Sequence, residues 1–254
     1  MSVKIIFVYT ITFLKQMFIS KSRILSHSIL LVTSLIFPVA VWYSFIEDTT
    51  LMKAYVRSII INYIFFSVFT YWHYEYISGM IRMGRLNLLL LYPQHILKTF
   101  FFRFCGNVLS KAIVCIPAII VLFVLREKTF VATNVLSIAV NIVFYMLLLL
   151  IAYFIGIIFG SFSFWIGEIW PLRFFLNISA GALAGTWFPF IGKLQMMSYL
   201  PFGLLGGGGA SFISADSGSR NMYLLSAAFW MAILCPLALL LWKRGSARYE
   251  ANGG

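Results

Sequence analysis

Residues 194–215 read LQMMSYLPFGLLGGGGASFISA, and whether this stretch crosses a membrane decides the fold. It carries no charge over 22 residues. About 20 apolar residues suffice to cross a hydrocarbon core of roughly 30 Å, at about 1.5 Å per helical residue. The same stretch contains Pro201 and the run Gly206–Gly209. Length alone leaves crossing and dipping equally open, so the rest of the chain has to decide.

Hydrophobic residues make up 62% of the 254-residue chain and charged residues 10%. A soluble domain carries roughly 25% charged residues, so this chain lacks the polar surface to cover itself in water and is an integral membrane protein. Its net charge of +12 would point to nucleic acid in a soluble protein. In a membrane protein it asks instead on which side the positive charge falls. Cys105, Cys115 and Cys235 are odd in number, lie in apolar runs and form no C-x-x-C, which reads as small buried hydrophobes. Ile5 to Leu14 is apolar, but Lys15 follows and no small-x-small cleavage site appears, unlike a cleaved signal.

The apolar runs predict an all-α membrane domain with six spans, at 24–46, 55–77, 100–125, 131–160, 172–191 and 221–242. Thr129–Gly167 holds no charge over 39 residues, too long for one span and too short for two, which predicts a long helix leading into a buried turn. With six spans and the N-terminus inside, 13 of the 19 Lys and Arg fall inside and six outside. If Leu194–Ala215 also crossed, Lys243, Arg244 and Arg248 would move outside and the bias would vanish. The positive-inside rule therefore predicts a hairpin at 192–215 that dips in from the outer face, with both termini cytoplasmic. Residues 1–23 place Lys4, Lys15 and Ser22 on one side of a helical wheel and Ile5, Ile6, Phe13, Leu14 and Met17 over most of the rest. This predicts a helix lying in the cytoplasmic interface.

No catalytic signature is present. Without G-x-x-x-x-G-K-[ST] the chain has no P-loop for ATP, and Gly206–Gly209 reads as a flexible bend rather than a phosphate cradle. His27, His73 and His95 are scattered; His73 and Glu75 point to different sides of a helix, so no metal or acid/base pair follows. Each histidine reads as satisfied or interfacial. Glu47, Asp48, Glu75, Glu127, Glu168, Asp216 and Glu250 all lie at or near span ends, which argues against a proton-driven carrier and against an intramembrane enzyme. The mid-span residues Asn62, Asn141 and Asn177, together with Asn107, either line a path or bond a neighbouring helix. Gly156 with Gly160, and Gly181 with Gly185, form two G-x-x-x-G pairs where helix backbones can approach.

The loop after the second span, YISGMIRMGRLNLLLLYP at Tyr76–Pro93, mixes arginine, glycine and leucine. It predicts a short amphipathic helix on the cytoplasmic surface, closed by Pro93 and suited either to a partner's groove or to phosphate headgroups.

At Gly79–Pro93 the pattern G-x-x-x-x-G-R-L-x-x-L-L-L-x-P resembles the ABC-2 type transporter permeases, the membrane subunits of ATP-binding-cassette exporters. FGSFSFW at Phe159–Trp165, Trp187-Phe188-Pro189, Leu200-Pro201-Phe202 and the closing Trp242–Gly254 follow in the order of that family. The resemblance implies six spans after an interfacial helix, and a coupling helix in 78–98 that seats in a separate ATPase. It also implies a re-entrant segment between spans five and six. The working unit it implies is two permease chains, identical or paralogous, with two ATPase subunits that bind ATP and Mg; this chain itself binds no cofactor and no nucleic acid, sits in the inner membrane and contacts lipid. On these grounds Gly79, Arg82, Gly84, Arg85, Leu86 and Pro93 are the candidate ATPase contacts, and Trp187, Pro189, Pro201 and Phe202 the candidate outer gate. The competing reading is a self-contained channel or ion-coupled carrier, active without any ATPase.

Overall fold

The lipid interior offers backbone groups no hydrogen-bond partner, so a spanning chain must satisfy them within itself, as a helix does. The computed structural model follows that rule. It describes residues 11, 12, 15, 21–46, 48–69, 73–90, 95–124, 135–167, 169–188, 190 and 192–249, and among them it is helical with no strand. The elements are α1 (Lys21–Phe45), α2 (Thr49–Phe69), α3 (Tyr74–Arg82), α4 (Leu86–Leu90), α5 (Ile96–Val124), α6 (Val135–Ser161), α7 (Ser163–Ile166) and α8 (Trp170–Leu183). A 3-10 helix (Gly192–Tyr199), α9 (Pro201–Gly203), a π-helical turn (Leu204–Gly208), α10 (Gly209–Ser214) and α11 (Ser217–Ser246) complete the chain. Among the described residues, three stretches are long and apolar enough to cross a membrane: Leu51–Arg82, Ser137–Ile166 and Ser217–Ser246. The interfacial helix expected at 1–23 falls mostly outside the described residues.

Contacts set the helix directions. α6 and α11 run parallel: Asn141 meets Arg220 near their starts, Phe144 meets Tyr223, and Phe164, just beyond α6, meets Trp242 near the end of α11. α2 and α3 follow the same direction, with Phe65 and Phe69 stacked on Tyr145 and His73 stacked on Tyr153. α5 runs against them, since Cys115 lies at Ser67 but Phe104 at His73. α1 and α8 also run against α2 and α3: Trp42 meets Tyr55, and Arg173 meets Glu75 while Gly185 meets Asn62. These helices therefore alternate in direction along the chain.

Leu194–Ala215 turns back on itself. The 3-10 helix ends at an extended Leu200 (ψ 157°), and α9, the π turn and α10 return to Asp216. The Tyr199 carbonyl accepts from Ser226 Oγ at 2.6 Å and Trp230 Nε1 at 2.9 Å. Those donors lie roughly 14 to 20 Å along α11 from its start, at about 1.5 Å per residue. Asp216 caps α11 by accepting from the Gly218 amide. Hydrogen bonds from Ser219, and from the Gly218 amide, hold its carboxyl below the usual carboxylate range.

Several expectations are corrected here. Gly206–Gly209 is no flexible bend: Gly208 and Gly209 have helical φ of −65° and −61°. A side chain at Gly206 would strike the Ala184 carbonyl, one at Gly208 the Ser198 carbonyl and one at Gly203 the Met197 carbonyl. The glycines let backbones touch, and the Gly207 amide bonds the Ala184 carbonyl at 2.9 Å.

The fifth run, expected at 172–191, yields only the 14-residue α8, which stops at Leu183. Gly185 takes φ +75°, Gly185 N–H bonds Ala182 O and Thr186 N–H bonds Gly181 O. That is a Schellman cap. Gly181 and Gly185 are therefore a helix terminus, not a packing pair.

His73, read as satisfied or interfacial, lies inside the packed protein. It is buried, its ring parallel to that of Tyr153 at 5.3 Å and beside Phe104. α3 also begins at Tyr74, ahead of the expected boundary at 78.

Candidate partner-coupling surface

α3 is amphipathic by its own sequence. Tyr74, Ile77, Ser78 and Ile81 are buried, while Glu75 and Arg82 are exposed on the opposite side. What seats the buried face is the first glycine pair. Gly156 lies against the His73 ring, and a Cβ at Gly160 would sit 2.9 Å from Ile77 Cβ. Two residues four apart thus enter the hollow left by two glycines four apart. On the other flank the Arg103 guanidinium lies 3.5 Å from the centroid of the Tyr76 ring.

α3 ends in a second Schellman cap. Gly84 takes φ +67°, its amide bonds Ile81 O, and the Arg85 amide bonds Met80 O at 3.0 Å. The turn Met83–Arg85 is thereby held in one geometry with Arg82, Met83 and Arg85 exposed. Leu86, next in the chain, is only 1% exposed and pins α4 into the core. Its position is that of an internal anchor beneath the surface arginines. Pro93 lies outside the described residues.

Beside α3 stands the start of α8. Arg173 Nε lies 3.0 Å from Glu75 Oε1, both side chains nearly half exposed, so the pair orients more than it stabilises. Between the two helices lies a groove of about 240 Å³ lined by Glu75, Ser78, Gly79, Arg82, Ile169, Trp170 and Arg173. Gly79 forms an open part of its wall, with no atom within 4 Å of where a Cβ would stand. Nothing in this constellation is a nucleophile or an acid/base pair.

The sequence profile of ABC-2 family transporter proteins matches residues 23–253. The chain belongs to the ABC-2 transporter family. No curated protein and no solved structure matches it. The family places the chain as a membrane permease of an ABC transporter, typically a non-catalytic component that associates with ABC ATPases.

In this ABC-2 permease the remaining candidates separate. Asn62 is buried and donates through Nδ2 to the Gly185 carbonyl at 3.0 Å. Asn141 Oδ1 accepts from Arg220 Nη2 at 2.6 Å. Both bond a neighbouring segment, the second of the two readings open for them. Asn177 Oδ1 is buried and accepts no hydrogen bond among the described residues.

Trp187, exposed, accepts from Trp42 Nε1 through its carbonyl at 2.8 Å, tying it to the end of α1. Pro201 opens α9 just past the hairpin tip, and Phe202 packs against the core. Pro189 lies outside the described residues.

Sequence reasoning missed Glu75, Ile169, Trp170 and Arg173. Glu75 and Arg173 each read as an ordinary span-end charge, and no local signal joins two helices so far apart in the chain.

Proposed function

We propose that this chain is the permease subunit of an ATP-driven exporter in a bacterial inner membrane. Two permease chains, identical or paralogous, form the substrate path through the bilayer. Two separate ATPase subunits, holding ATP and Mg, drive it. In this reading α1, α2, α5, α6, α8 and α11 are the six spans, with the basic end of the bundle and both termini in the cytoplasm. The hairpin 192–215 enters from the outer face, and α3 with its turn is the coupling helix.

The observation that carries the reading is the rigid presentation of Arg82, Met83 and Arg85. They are exposed on a turn locked by the Gly84 cap, on a helix seated against Gly156 and Gly160. A surface built only to float among headgroups has no need of such fixation. A lever that transmits motion does, because a soft joint would absorb the displacement.

The test is the purified complex carrying R82E and R85E. Reversing two charges at a docking site costs several kcal/mol through like-charge contact, so loss of the bound ATPase, or of its stimulated hydrolysis, is expected. Unchanged assembly together with unchanged hydrolysis would remove the coupling assignment.

A further inference from the structure

One side of α11 is a continuous exposed apolar stripe. Leu225, Phe229, Ile233, Leu237 and Leu240 are each at least 40% exposed, and at about 100° per residue they fall within about 120° of one another. At its C-terminal end this stripe runs into cations. Arg244 lies within about 40° of Ile233, Leu237 and Leu240 on the same wheel, and Arg248 follows one turn later. Both are exposed, as is the adjacent Lys243.

Among the described residues, none of the three is paired with a carboxylate. Residues 240–254 set one acid, Glu250, against them, so positive charge is in surplus even were that acid to take one. Complementing the helix dipole accounts for Lys243 and Arg244 in the last turn. It does not account for Arg248, beyond the helix end and four positions from Arg244, where like charges on one side repel. The backbone carrying these cations is fixed. Gly245 packs against the Phe164 ring, and Trp242 lies 5.6 Å from Phe100 and 5.5 Å from Phe164. Next to Phe164, Trp165 and Ile166 are exposed. Tryptophan beside a span end favours the depth of the lipid headgroups.

We propose that this end of α11 is a binding site for an anionic phospholipid. The headgroup phosphate sits on Arg244 and Arg248, with Lys243 beside them, and an acyl chain lies along Leu240, Leu237 and Ile233. The inference needs only that α11 spans the bilayer, and it stands apart from the coupling reading. The cations and the stripe together select the occupant. An acidic protein surface or a free phosphate would meet the cations and leave the stripe unmatched. A zwitterionic lipid would match the stripe but bring an ammonium to the cations. An anion at the head of a long apolar chain matches both.

The test uses the full-length permease in neutral detergent, with phosphatidylglycerol or phosphatidylcholine carrying a photoreactive acyl chain and held below saturation. Label on residues 233–249 is measured by peptide mapping, and size-exclusion profile and helical content check folding. Phosphatidylglycerol is expected to label this segment at least about tenfold more than phosphatidylcholine. R244Q/R248Q is expected to lower that labelling roughly thirtyfold, at about fivefold for each cation removed. R244K/R248K, which keeps the charge, is expected to retain most of it.

Equal labelling of the wild-type chain by the two lipids would overturn the proposal without recourse to any variant. Undiminished labelling of R244Q/R248Q would overturn the assignment to these arginines. Loss of label when the ATPase subunit is added, together with weaker ATPase retention by R244Q/R248Q, would give the cations to a protein interface and overturn the lipid.

Discussion

Asn62 and Gly185 stand 123 positions apart in sequence and meet through one hydrogen bond, Nδ2 to carbonyl oxygen at 3.0 Å, in the buried interior. The bond joins the middle of α2 to the turn at which α8 stops, and Gly207 of the hairpin bonds the adjacent Ala184. Three segments are stitched at one point.

Replacing Asn62 by Ala leaves the Gly185 carbonyl buried without this donor. The expected loss is about 1–3 kcal/mol of stability, read as a lower unfolding temperature of the purified permease in detergent. A variant that transports poorly while melting like wild type would instead return Asn62 to the list of path-lining residues.

Gly156 and His73 form a second coupled pair. A methyl at Gly156 collides with the imidazole, and overpacking of this kind costs typically 1–3 kcal/mol. G156A is therefore expected to melt earlier, and H73A/G156A to recover part of the loss. Strict additivity of the two single changes would show that they do not share a contact.

Within one short segment, two glycines are expected to respond with opposite sign. Gly84 sits at φ +67°, where a side chain costs roughly 1–2 kcal/mol, so G84A should destabilise. Gly79 lies inside α3 with open space around it. There Ala gains up to about 1 kcal/mol of helix propensity, so G79A should raise the unfolding temperature. Thermal scans of the two variants side by side check both signs.

The glycine run of the hairpin is expected to be the least tolerant of all. G206A and G208A drive a methyl into the carbonyls of Ala184 and Ser198, and neither backbone can step aside without breaking its own bonds. A loss of at least about 2 kcal/mol is expected, seen as poor yield of monodisperse protein. G218A, near only the exposed Asp216 carboxylate, should fold normally. Normal folding of G206A would mean that the hairpin does not pack on the α8 turn.

Long helices were legible because burying a charge in hydrocarbon is costly, so uncharged runs show where a helix lies but not where it ends; α8 stops at Leu183, short of the expected 191. The expectation of 131–160 became Val135–Ser161, and that of 221–242 became Ser217–Ser246. The two glycine pairs looked alike on paper and proved different. Gly156 and Gly160 continue a helix, whereas Gly185 ends one, because the Gly181–Thr186 backbone closes its own ring of bonds. Spacing alone carries no record of which happens.

The sequence by itself determined an apolar, all-helical protein of membrane character and the order of features along it, because hydration and helix rise act on each residue where it stands. The charge count already predicted a hairpin at 192–215; only the tertiary structure shows what folds Leu194–Ala215 back on itself. The reasons are a pair of hydrogen bonds from Ser226 and Trp230 to Tyr199, and backbone contacts that Gly203, Gly206 and Gly208 permit. It alone set Glu75 beside Arg173, and with them the groove. Such contacts depend on which surfaces meet once the helices have formed, and that is a property of the packed bundle rather than of any one segment.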